Sequence, residues 1–501
     1  MGCKTREPIV LDKNNEYSKM KFHIDVEVLK HLFDGTLVRD ADRIPIDICP
    51  KDRVPSRCCI YKERAVVRYR IMALAGYTLE TDDDEYRTLS SYMEEALNED
   101  KPKLPLLTTI ATGCSSCPQS HYQVSDACRG CFARPCASNC PKDAIVFVKG
   151  KAVIQTEKCI KCGKCMERCP FHSIVHNCVP CEDACPVGAV KQNEKGISEV
   201  NHELCIGCGK CLKSCPFGAI VKRSGLIPVA KMLKNNEKVV AIVAPAIEGQ
   251  LPGSIEQIKE AIKKAGFTEV VEVAEGAKIT AEKEAKELEE RKAKGEGFLA
   301  TSCCPAWFTL VDKHIPQLKD HISSTLSPMG YTAQLCKERY PGYKVVFIGP
   351  CVAKRYEAAT RYPDTIDRVI SYSELAAIFV AKDIDVQNMD VNFDDETCSS
   401  FEDCRDFAQS GGVAQCVLRR VDDKNKYSFM SINGIDAKTV RLMKTWSKIP
   451  PKEDLVEIMC CPGGCLAGPG TLVTPQAAIK AREGYRKQRE LARKQKAESN
   501  A

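Results

Sequence analysis

The sequence predicts a multidomain chain of mixed α+β and α/β class, in which a small cysteine-rich part precedes a larger part with a partly parallel sheet. Seventeen of the 31 cysteines fall between Cys114 and Cys215, fifteen of them in four copies of one short pattern. Self-similarity at that spacing marks a unit built from repeats. Beyond residue 235 short apolar runs alternate with charged stretches of helix length, the signature of parallel strands linked by helices. At 501 residues the chain has room for several cores, and no run of eighteen apolar residues predicts a membrane span.

The cysteines point to metal rather than disulfides. They recur as C-x-x-C units in a long chain that begins "MGCKTREPIV" without an apolar leader, which predicts a cytoplasmic protein in a reducing compartment. A net charge of +6 is small for this length and gives no nucleic-acid signature. Between Lys142 and Arg223 thirteen Lys or Arg face eight Asp or Glu, a local excess able to steer an acidic redox partner or simply to solvate a surface.

Four segments follow in order. Residues 1–110 hold four cysteines and helix-like runs such as "DVEVLKHLF" and "ERAVVRYRIMALAG", with no recognisable role. "NEDKPKLPLLTT" reads as a linker into the cysteine-rich region, 111–235. In 236–474, "KVVAIVAPA", "EVVEVA", "GFLATS" and "KVVFIGP" read as strands, and "SIEQIKEAIKKAG" and "AEKEAKELEERKAKG" as helices. Residues 475–501 form a basic helix or tail that serves solubility.

The repeats have the bacterial ferredoxin form C-x-x-C-x-x-C-x-x-x-C-P, whose soft thiolates hold a 4Fe-4S cubane and whose fourth cysteine ligates the neighbouring cluster. Two runs match fully, Cys159, Cys162, Cys165, Cys169 and Cys205, Cys208, Cys211, Cys215; Cys128, Cys131, Cys136, Cys140 carries a two-residue insertion. Crossover pairing groups Cys128, Cys131, Cys136 with Cys169, and Cys159, Cys162, Cys165 with Cys140. It also groups Cys205, Cys208, Cys211 with Cys185. Cys178, Cys181 and Cys215 then need a fourth ligand, which Cys114 or Cys117 can supply. Three to four accessory cubanes are expected. Zinc sites seldom use four-cysteine runs followed by proline.

Three further segments, "TSCCPAW" (301–307), "GPCVAKRYEA" (349–358) and "MCCPGGCLAGPG" (459–470), place cysteines in Pro- or Gly-containing loops. In order and wording they resemble the signature segments of FeFe (iron-only) hydrogenases, and in detail the group B branch. The resemblance covers about residues 114–470 and implies a two-lobed α/β catalytic domain with the H-cluster between its lobes. It implies that Cys304, Cys351, Cys461 and Cys465 hold the H-cluster cubane. Cys465 would bridge to a two-iron subsite carrying carbon monoxide, cyanide and azadithiolate. Lys354 would donate to a cyanide, Pro245 and Ala246 would line the pocket, and Met459 would stand beside the subsite.

Protons must also cross a dry pocket. Cys303, the other half of the adjacent pair, is the expected last donor. Aligning the glutamate-rich helix onto the family gives a relay of Cys303, Glu284, Ser323, Glu287 and Arg291, with the two glutamates three apart on one helical face. Met329, Gly349 and Cys460 depart from the best-known branch. Cys336, Cys398, Cys404 and Cys416 are expected to be small core or surface residues.

The resemblance implies reversible reduction of protons to dihydrogen, with ferredoxin or a similar carrier as partner and maturation proteins to install the subsite. The alternative is a hydrogen sensor, or another regulatory or iron–sulfur assembly protein, with little turnover. No P-loop or dinucleotide fingerprint is present.

Overall fold

The computed structural model describes residues 16–81, 84–98, 104–114, 117, 121–391 and 396–499. The side chains of 396–400 fall outside that description, as does residue 3, so Cys398 and Cys3 have no structural account.

Two parallel sheets organise the C-terminal half. The first has four strands in the order Glu269–Glu272, Val239–Val243, Lys344–Ile348 and Arg368–Ile370, every neighbouring pair parallel. Val239–Val243 is buried along its whole length, as a central strand covered on both faces must be, and its unbroken β-branched and apolar composition follows. The second sheet has three parallel strands in the order Leu299–Ala300, Leu455–Met459 and Phe429–Asn433. Each run expected to be a strand is one. Phe429–Asn433 and Leu455–Met459 were not expected, because the first mixes polar residues into a short run and the second carries Glu457 at its centre.

The chain leaves these strands at the places that matter. Pro245 follows Val243, Cys303 and Cys304 follow Ala300, Cys351 follows Ile348, and Cys461 follows Met459. Both sheets thus deliver their cysteine segments from carboxyl ends of parallel strands, where open α/β folds form crevices. Beside them runs the 22-residue helix Val273–Lys294, ended by Gly295 in the left-handed conformation at φ 68°.

The cysteine-rich part is built from two-stranded antiparallel ribbons. Ile145–Val148 pairs with Lys151–Ile154, His121–Val124 with Ile174–Asn177, and Val190–Gln192 with Ser198–Val200. A fourth joins Leu107–Thr109 to Ile220–Lys222. The end of the expected linker is therefore an edge strand: Leu107, Thr108 and Thr109 are all buried.

The N-terminal helices are not a separate appendage. Glu16–Phe33 lies along Tyr372–Ala381 and Leu226–Lys234, and Val28, Leu29 and Ile71 join the same apolar core as the four-stranded sheet. The C-terminal helix Pro475–Ser499 also begins as structure rather than as a solubilising tail. Ala478 is fully buried, Arg482 reaches Glu248 at 3.5 Å and Asp406 at 3.7 Å, and Gly253 N–H donates to the Tyr485 hydroxyl at 2.9 Å.

Candidate metal and active centre

The three C-terminal cysteine segments meet at one cavity between the two sheets. Cys303, Cys304, Cys351, Cys461 and Cys465 line it together with Pro245, Ala246, Lys354 and Met459. The pocket-side residues that the sequence singled out thus share one space. Val273, Phe347, Phe407, Ala408 and Met329 complete an almost wholly apolar wall.

Cys304, Cys351, Cys461 and Cys465 are close enough to raise one another's thiol pKa. Burial is the main cause: it pushes Cys351 and Cys465 up to about 12, and each neighbouring sulfur adds to the effect. Four thiols forced together in a dry space hold their protons until a cation replaces them. That donor set fits an iron–sulfur cubane better than any purely structural role. Met459, ending the strand Leu455–Met459, brings its thioether to the same wall.

Lys354 is the one cationic side chain lining the cavity. Burial lowers its pKa, but Glu357 more than offsets this and the net shift is upward, so the ammonium stays charged. Its Nζ lies 2.6 Å from Glu357 Oε2 and donates to Ser327 Oγ at 3.1 Å. One turn of the helix Ala353–Arg361 sets the Lys354–Glu357 spacing, and Ser327 caps the facing helix Pro328–Arg339.

From Cys303 a polar line leads away through the helix Val273–Lys294. Glu284 is fully buried among apolar residues, and burial is the main reason its carboxyl is raised to about 7. Ser302 N–H and Oγ–H donate to Glu284 Oε1 at 2.9 and 3.0 Å, while Oε2 has no hydrogen-bond partner among the described residues. Thr325 Oγ1 lies 3.4 Å from Glu284 Oε1, 3.0 Å from Ser302 Oγ and 2.9 Å from Ser323 Oγ. Ser323 Oγ–H donates to Glu287 Oε2 at 2.7 Å, and Glu287 Oε1 is 3.7 Å from Arg291. No direct hydrogen bond joins Cys303 to Glu284, although the two are electrostatic neighbours. Ser302 and Thr325 were missed from the sequence, where the only signals were the hydroxyls beside the cysteine pair in "TSCCPAW" and the run of hydroxyls in "HISSTLSP".

The ferredoxin-type cysteines group by crossover. Cys128, Cys131, Cys136 and Cys169 line one small cavity; Cys140, Cys159, Cys162 and Cys165 line another. Cys211 faces Cys208, Cys205 and Cys185. Cys181 faces Cys215, Cys114 and Cys117, and Cys117 also faces Cys178, so five thiols converge on the fourth group. Backbone N–H groups four residues after Cys140, Cys185 and Cys215 donate to those sulfurs at 3.1 to 3.3 Å, the same contact in each repeat. Cys208 alone of these lines the large cavity as well, and a hydrogen bond from Cys460 is the main reason its thiol is lowered to about 7. Cys336, Cys404 and Cys416 are buried core residues.

Residues 237–469 match the iron only hydrogenase large subunit, C-terminal domain. The chain is an FeFe-hydrogenase-like protein. In this FeFe-hydrogenase-like protein the cysteine-rich part, residues 127–179 and 176–226, matches the LdpA Fe-S cluster-binding domain. Iron hydrogenase 1 of Clostridium pasteurianum is 25% identical over 66% of this chain and 67% of its own length. The NADP-reducing hydrogenase subunit HndD of Solidesulfovibrio fructosivorans is 26% identical, over 60% of this chain and 56% of its own length. The chain therefore spans between 56% and 67% of these two relatives. A cytosolic Fe-S cluster assembly factor NAR1 homolog of Schizosaccharomyces japonicus is 24% identical, over 36% of this chain and 50% of its own.

Proposed function

We propose that the protein is an FeFe hydrogenase, catalysing reversible conversion of two protons and two electrons to dihydrogen. The observation that carries this reading is the convergence of Cys303, Cys304, Cys351, Cys461 and Cys465 with Lys354 on one apolar cavity at the carboxyl ends of both sheets. Cys304, Cys351, Cys461 and Cys465 would hold the H-cluster cubane, with Cys465 bridging to the two-iron subsite. That subsite, with its carbon monoxide, cyanide and azadithiolate, supplies the hydrogen chemistry.

The chain's own residues do the rest. Lys354, kept charged by Glu357, offers a fixed donor to a cyanide nitrogen. Pro245, Ala246 and Met459 exclude water from the subsite face. Cys303 lines the pocket without ligand duty, and it would exchange its proton with Glu284. From there the hydroxyls of Ser302, Thr325 and Ser323 lead to Glu287 and to Arg291 near the surface. A carboxyl held near 7 can both take and give a proton at neutral pH.

Electrons would enter through the accessory cubanes, three to four in number, and reach the cavity through the group containing Cys208. A ferredoxin-type carrier as partner, maturation proteins for the subsite, and a cytoplasmic place belong to the same reading. Membership of the group B branch rests on the wording of the signature segments alone. Among the described residues no helix is long and apolar enough to cross a membrane.

The match to an assembly factor, together with Met329 and Cys460 in the pocket wall, favours a second reading as a sensor or iron–sulfur protein with little turnover. The deciding experiment is dihydrogen evolution by anaerobically matured protein, with infrared detection of bound carbonyl and cyanide. Bands with brisk turnover support the enzyme, bands without turnover favour the sensor, and absence of bands overturns both of these and leaves the iron–sulfur protein.

A further inference from the structure

The helix Ile60–Leu74 buries an arginine where the sequence offered no role for the N-terminal region. Arg70 is 8% exposed. Its Nη2 donates to the carbonyl oxygen of Gly218 at 3.2 Å, and its guanidinium lies 4.7 Å from the centre of the Tyr17 ring. Gly218 belongs to the turn that closes the last ferredoxin-type repeat: its own N–H donates to Cys215 O at 3.1 Å, and Ala219 N–H donates to Cys215 Sγ at 3.3 Å. The fit is close. A Cβ at Gly218, which has φ +58°, would stand 2.1 Å from Tyr17 and 2.7 Å from Arg70 Nη2.

A guanidinium is always charged, and burying one without an anion is costly. Neither of the nearby carboxylates forms an ion pair with Arg70. Glu374 pairs with Lys222 at 2.9 Å and Arg355 at 2.7 Å, and Asp25 pairs with Lys21 at 3.8 Å. Arg70 forms no ion pair among the described residues, and its Nε has no hydrogen-bond partner. Arg57, another cation, is among its electrostatic neighbours; besides Asp25 the attractive ones are Tyr17 and Cys215. A cubane held by four thiolates carries net negative charge, and it is the anion this position lacks.

We propose that Arg70 is the buried countercharge of an iron–sulfur cluster ligated by Cys215, and that the N-terminal helices hold it there to raise that cluster's reduction potential. The proposal rests on the reading of Cys178, Cys181, Cys215 and Cys114 or Cys117 as a cluster site. Arg70 is a positioning residue for charge and touches no reacting atom. A fixed cation stabilises the more negative, reduced cluster, since net charge and sulfur surroundings set such potentials.

The test is an anaerobic redox titration of the full chain followed by electron paramagnetic resonance, with iron counted in parallel. Arg70→Gln is expected to keep the wild-type iron content and move one cluster to a more negative potential. Arg70→Lys, which keeps a charge but not the planar fork, is expected to shift the same cluster less. Arg39→Gln, which removes an exposed cation from the same region, is expected to leave every potential unchanged. Wild-type iron content with unshifted potentials in Arg70→Gln overturns the countercharge. If that variant does not fold, Arg70→Met, which keeps the length of the side chain without its charge, takes its place, and unshifted potentials there overturn the countercharge. A wild-type chain that loses no cluster on Cys215→Ala overturns instead the cluster reading beneath it.

Discussion

Thr325 Oγ1 and Ser323 Oγ lie 2.9 Å apart, and that contact joins the buried carboxyl of Glu284 to the half-buried carboxylate of Glu287. Without Thr325 the chain of hydroxyls between the two glutamates is broken. Thr325→Val keeps the shape and removes the hydroxyl, so turnover should fall by about tenfold or more, while Thr325→Ser should keep most of it. Dihydrogen evolution by variants matched for iron content and carbonyl bands measures this. A Thr325→Val enzyme as fast as its parent would take the residue out of the path.

Glu284 gives a pH-dependent stability with a definite sign. Its carboxyl is raised from 4.5 to about 7, with burial the first cause. The folded chain therefore binds more protons than the unfolded chain between those values, and stability falls as pH rises from about 4.5 through about 7. At about 1.4 kcal/mol per unit, the loss approaches ~3 kcal/mol and is complete above about pH 7. Glu284→Gln should recover about 1–3 kcal/mol in denaturant melts of metal-free protein at pH 8 and nothing near pH 4.5. The same variant should stop turnover.

The adjacent thiols should separate cleanly. Cys304→Ala should lower iron content and remove the cubane signal. Cys303→Ala should keep iron content and carbonyl bands while activity falls by about a hundredfold or more. A Cys303→Ala protein with normal activity would leave the pocket without its proposed proton donor.

Lys354 and Glu357 form a partly enclosed pair whose members fail differently. Glu357→Ala leaves a buried ammonium without its carboxylate and should cost about 3 kcal/mol of stability. Lys354→Met is expected to fold and to assemble the cubane, yet to lack the cyanide and carbonyl bands after maturation. Thermal melts separate the first effect, and infrared spectra the second.

Much of this was legible in the residues. Unbroken runs such as "KVVAIVAPA" read as buried strands because covered parallel strands need apolar residues on both faces. The cysteine segments were readable because metal ligands leave fixed spacings. Leu455–Met459 escaped notice since Glu457 interrupts its apolar run. In the fold that carboxylate is buried and accepts the N–H groups of Gly411 and Ala414 at the start of a helix. Ser302 and Thr325 escaped for another reason: hydroxyl side chains are common, and only the approach of "TSCCPAW" and "HISSTLSP" to the glutamate helix singles them out. The N-terminal helices showed a periodic pattern but nothing of what they bury, which depends on partners far along the chain, such as Gly218 for Arg70.

The sharing of one apolar core by Val28, Leu29, Ile71 and the four-stranded sheet sets a limit on dissection. Cutting at the boundary of the hydrogenase-like segment would strip the cover from Tyr372–Ala381 and Leu226–Lys234, turning interior aliphatic surface outward and inviting association between copies. The smallest workable unit includes Glu16–Phe33. Engineering a miniature version would mean redesigning that exposed helix face, not merely shortening the gene.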